Sequence, residues 1–80
     1  MPTVLRRGSY RFHFFSDEGD EPAHVHVRFD GRNCKFWLNP VVLAVNRSIP
    51  LHRLNEIETI IREEQEFLLQ QYHEHRRRKI

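Results

Sequence analysis

A two-residue Asp30-Gly31 step separates two runs of alternating residues, 23–29 and 32–38, and it constrains the fold more than any other feature of the chain. Asp-Gly accepts positive φ at both central positions of a tight turn, so the flanking runs pair as an antiparallel hairpin. A tight turn also sets the register: Phe29 faces Arg32, Val27 faces Cys34, Val25 faces Phe36 and His24 faces Trp37. Side chains alternate across a strand, which puts Val25, Val27, Cys34, Phe36 and Leu38 on one side. His24, His26, Arg28, Lys35 and Trp37 take the other.

A third strand precedes the hairpin. Residues 9–16 are aromatic and alternating, and the polar stretch Ser16–Pro22 after them ends in a proline that cannot donate to a ladder. Tyr10, Phe12 and Phe14 join the apolar face; Arg11, His13 and Phe15 join the open one. Asn39-Pro40 ends the 32–38 run. Val41–Val45 is too short and too apolar to classify by period, and reads equally as a fourth strand or a buried helical turn.

From about residue 50 to 75 the period becomes helical. Leu51, Leu54, Ile57, Ile61, Leu68 and Tyr72 form one stripe, widened by Ile60 and Phe67, with Ser48 and Pro50 as start signals. Glu64 falls inside this stripe, either partly buried against a basic partner or curled out at its edge. Tyr72, His73 and His75 are expected at a solvated helix end, followed by the basic run Arg76–Lys79. The fold class expected is α+β: an antiparallel sheet of three to four strands with one long C-terminal helix packed on one face, in a single domain over residues 1–80.

Eighty residues bury only roughly 60–65% of their unfolded surface, so the core is thin and self-association would help it. With one cysteine, Cys34, no internal disulfide or Cys-rich zinc site is available, which points to a reducing compartment. No apolar run is long enough for a signal peptide or a membrane span, and a cytoplasmic location with no membrane contact is expected. No Gly-rich phosphate loop or nucleophile-type serine motif is present, and no cofactor is expected.

The open face is where chemistry concentrates. His24 and His26 lie two apart on one strand, about 6–7 Å from each other, and are the candidate catalytic pair. Around them stand Arg11, Phe15, Arg28, Lys35 and Trp37, with no acid on the face. Three uses fit. Cations and aromatics suit phosphates and unpaired bases of RNA or DNA, and imidazoles beside cations suit metal-independent RNA cleavage. Trp and Arg equally suit a protein interface. His24 and His26, with His13 and Glu21, supply metal-ligand types, though Arg11, Arg28 and Lys35 would repel a cation.

The segments Met1–Leu5, Tyr10-Arg11-Phe12, Phe14-Phe15-Ser16, Glu21-Pro22, His24–Val27 and Lys35–Pro40 resemble a family of small prokaryotic proteins, domain-of-unknown-function family 4160. The resemblance implies His24 and His26 as a characteristic pair. It also implies a gene neighbour encoding another small protein, an arrangement similar to a toxin–antitoxin pair. The chain departs from the family pattern at His13, usually an aromatic, and at Ala23, usually a proline. The expected function is therefore a component of a prokaryotic, toxin–antitoxin-like two-gene module. It would act through nucleic acid or a small protein partner such as the neighbour's product, with a histidine-dependent ribonuclease as the sharpest version. A non-catalytic interaction module, possible as a homodimer, and a His-x-His metal protein are the alternatives.

Overall fold

The structure is a computed structural model, described over residues 3–15 and 21–77. Five strands form one antiparallel meander in the order β1-β2-β3-β4-β5: β1 Thr3–Arg7, β2 Tyr10–His13, β3 His24–Phe29, β4 Arg32–Leu38 and β5 Val41–Arg47. Two helices follow, α1 Leu51–Glu63 and α2 Gln65–Arg77.

The hairpin forms as the turn chemistry requires. Asp30 and Gly31 take φ of 52° and 75°, and all four expected cross-strand pairs are present. The expectation of three to four strands is corrected to five. The residues at 41–45 belong to a strand, and β1 was missed because only Gly8-Ser9 marks its turn. Gly8 sits at φ 58°, a conformation that suits glycine, and lets β1 fold back on β2. The first expected strand, 9–16, is shorter than its pattern: β2 ends at His13, and Ser16 lies outside the described residues.

The single long helix is corrected to two. Glu64 leaves helical geometry at φ −104° and ψ 17°, although its N–H still bonds Ile60 and its carbonyl accepts from Leu68. Polar Glu64 and Gln65 interrupt the apolar stripe where the helix crosses the sheet. Both are claimed by other elements: Arg7 Nη1 reaches Glu64 at 2.8 Å, and Gln65 Nε2 donates to the Leu38 carbonyl at 2.6 Å. As a result α1 lies along β5, while α2 crosses β3 and β4. Pro50 caps α1 without a side-chain bond. Ser48 is no cap; the Asn46 amide holds the preceding turn instead, bonding both the N–H and the carbonyl of Ile49 at 3.0 Å.

Between helices and sheet lies the core. Phe12, Val25, Val27, Phe36, Leu38, Ile57, Ile61 and Leu68 are all buried in it. No helix among the described residues is long and apolar enough to cross a membrane.

Candidate functional site on the open sheet face

Residues directly opposite each other in adjacent strands share a face, so the register defines what the uncovered side presents. Arg6 pairs with Arg11, Arg11 with Arg28, Arg28 with Asn33 and Asn33 with Arg47. One row thus crosses all five strands, four arginines and an asparagine, every member exposed. The next row, two residues along, is Thr3, His13, His26, Lys35 and Val45. Beyond it come His24, Trp37 and Val42.

Neighbouring strands are about 4.8 Å apart, and like charges placed directly opposite repel. Among the described residues no acid lies within ion-pair distance of Arg6, Arg11, Arg28 or Arg47. Asp30, at the hairpin tip, shares a depression with Arg11 and Arg28 without pairing to either. The other face behaves differently. Arg7 contacts Glu63 and Glu64, Arg53 contacts Glu56 and Arg62 contacts Glu58.

The two candidate catalytic histidines have unequal surroundings. His26 is half-buried and faces the open side, its ring 5.8 Å from His13 and 4.3 Å from Phe15. His24 was expected to be equally open and is 1% exposed. Its Nδ1 lies 2.8 Å from the Pro22 carbonyl, which only accepts, so Nδ1 carries a proton there. Trp37 and Tyr72 pack on its ring at 5.8 and 5.6 Å. The break at Glu64 is the cause, since it steers α2 across this end of the sheet. Tyr72, expected at a solvated helix end, is instead 5% exposed, and its hydroxyl donates to the Glu21 carbonyl at 3.3 Å. His75 Nε2 bonds the Phe15 carbonyl at 3.1 Å, while His73 stays exposed.

The other sequence-derived residues divide in the same way. Arg11 and Arg28 are exposed in the arginine row, and Phe15 is 39% exposed beside His26. Lys35 is engaged: it pairs with Glu21, and its Nζ sits 4.7 Å from the centre of the Trp37 ring, covering that half-buried indole. Arg6 was missed because β1 was missed, and Arg47 because the 41–45 run, left open between a strand and a helical turn, stops two residues short of it. Arg11, His13, Phe15, His26 and Arg28 line a shallow depression of about 280 Å³. Phe15, His26, Lys35, Val45 and Arg47 line an adjoining one of about 480 Å³.

Burial holds the His13 pKa below its usual value, and the neighbouring His26 adds to this, so a neutral His13 ring faces the depression near neutral pH. No three His, Cys, Asp or Glu side chains among the described residues converge to hold a metal ion. Cys34 faces the core as expected, and burial pushes its thiol up to about 12, leaving it inert at neutral pH.

These elements define a small α+β domain with a helix-covered face and a bare cationic one. The chain belongs to the family described as Domain of unknown function (DUF4160), whose profile matches residues 9–73. No curated protein and no solved structure matches it.

Proposed function

We propose that this protein is a nucleic-acid-binding component of a two-gene, toxin–antitoxin-like module, and that the open sheet face grips the phosphate backbone. The observation carrying this reading is the row in which Arg6, Arg11 and Arg28 face one another and Arg47 follows across Asn33, with no acid within pairing distance of these arginines among the described residues. Such a row costs stability in the free protein and is relieved by a polyanion. Guanidinium forks also match phosphate oxygens in pairs. The neighbouring gene product, in this reading, is the protein that covers or releases the face.

A ribonuclease version must be recast. His24 is closed off beneath Trp37 and Tyr72, so a solvent-reachable imidazole pair on this face consists of His26 and His13. The interaction-module alternative draws support from the edge strand β5, where Val42, Leu43 and Val45 are exposed. An edge of that kind invites another strand.

The test is a salt titration of binding to labelled RNA and DNA by fluorescence anisotropy. Affinity should fall linearly in log–log form. Arg11→Gln with Arg28→Gln should flatten the slope by roughly 1.4 to 1.8, the loss of two phosphate contacts. Absence of binding at low salt overturns the reading, and so does an unchanged slope in the double variant.

A further inference from the structure

The open face is banded. Along β2 and just past it the order is Arg11, His13, Phe15; along β3 it is Arg28, His26 and then buried His24; along β4 it is Asn33, Lys35, Trp37. On β2 and β3, cations therefore stand at one level and rings at the next, about 6–7 Å further along, with Lys35 of β4 flanking the rings. The ring band is a connected group. Phe15 meets His13 edge-on at 5.1 Å and His26 at 4.3 Å, and the two imidazoles stack at 5.8 Å with 21° between their planes. Phe15 is held in place by the bond from His75 to its carbonyl, yet leaves 39% of its surface to solvent.

We infer that the face takes a single-stranded polynucleotide laid across the β-strands, phosphates on the arginine row and unpaired bases on the Phe15–His13–His26 rings. This rests on the nucleic-acid reading above and adds the state of the ligand. A nucleotide carries its phosphate at one end and its flat, apolar base at the other, so a charge band beside a ring band matches one strand and its bases. A duplex offers phosphates outside but stacks its bases within, and it would leave the rings unused. The row spans roughly 19 Å over four strand spacings. That suits about four nucleotides, the low end of the range for single-strand binding surfaces.

The experiment compares three probes on the full chain by anisotropy and competition: a single-stranded octanucleotide in RNA and DNA form, the blunt duplex of the same sequence, and inorganic polyphosphate. Single strands should bind at least fivefold tighter than the duplex. Phe15→Ala should weaken single-strand binding about tenfold and leave polyphosphate binding within twofold. Phe15→Leu, which keeps apolar volume without a π face, should behave as Phe15→Ala. Equal or tighter duplex binding overturns the inference and leaves phosphate recognition intact. Equal losses for polyphosphate and single strand, or full affinity in Phe15→Leu, also overturn it. Failure of all three probes removes the nucleic-acid reading itself.

Discussion

Arg6 and Arg7 are neighbours in β1, and the pleat sends them into opposite environments. Arg7 points to the helix side, where Glu63 lies at 3.1 Å and Glu64 at 2.8 Å. Arg6 points to the open side, where its cross-strand partner is Arg11 and the row continues to Arg28. The helix face is balanced internally: acids on α1 meet bases from the strand or from the helix itself, and apolar side chains fill the space between. On the open face Lys35 pairs with Glu21, but among the described residues no acid lies within ion-pair distance of Arg6, Arg11, Arg28 or Arg47. A surface that holds like charges together at strand spacing, on a chain with a net charge of only +2, is distinguished by its arrangement and not by its total charge. The contrast separates what keeps the molecule folded from what it has available for a partner.

The widest gap between the two faces should appear in stability. Ile61 is fully buried where α1 meets the sheet. Ile61→Ala should cost about 3–4 kcal/mol, because the emptied volume is walled by a sheet that cannot collapse into it. Urea denaturation measures this. A loss below about 1 kcal/mol would show the helix only loosely seated and would dissolve the distinction between the faces.

A sharper comparison uses the histidines, which share a strand side and differ in cover. His24→Ala should cost about 1–3 kcal/mol, since it removes a ring packed by Trp37 and Tyr72 and strands the Pro22 carbonyl bond. His26→Ala, half-buried beside Phe15, should cost less than about 1 kcal/mol. Thermal melts of the two variants side by side decide it. Equal costs would mean the sequence-level view of two equivalent rings was right after all.

That view failed for a reason a strand pattern cannot reveal. The Asp30-Gly31 turn encodes register locally, so the hairpin pairs and the sides of Val25, Val27, Cys34 and Phe36 were readable from the sequence. Helical spacing made Leu54, Ile57, Ile61 and Leu68 readable as one stripe. The break at Glu64 depends on Arg7, 57 positions away, and on the Leu38 carbonyl, and no period contains either. His24 is closed off because α2 turns at that break. Arg6 and Arg47 were hidden differently: each lies on a strand whose signal is faint. Gly8-Ser9 marks the first, and the second begins as an unbroken apolar run. The arginine row becomes visible only when all five registers are laid side by side.

The smallest expected effect tests the comparison most directly, because the two faces should answer with opposite signs. Arg7→Ala removes a partly exposed cation from two glutamates and should lower stability by about 0.5–1 kcal/mol. Arg28→Thr removes an exposed cation whose cross-strand partner in β2 is another arginine and supplies a β-branched residue suited to a strand. It should be neutral or stabilising by up to about 0.5 kcal/mol. Salt provides the check. Raising ionic strength screens the unbalanced row and should stabilise the native chain, and that gain should shrink in Arg28→Thr while persisting in Arg7→Ala. If Arg28→Thr destabilises the fold and the salt response is unchanged, the arginine row has a structural role, and the open face loses its standing as the binding surface.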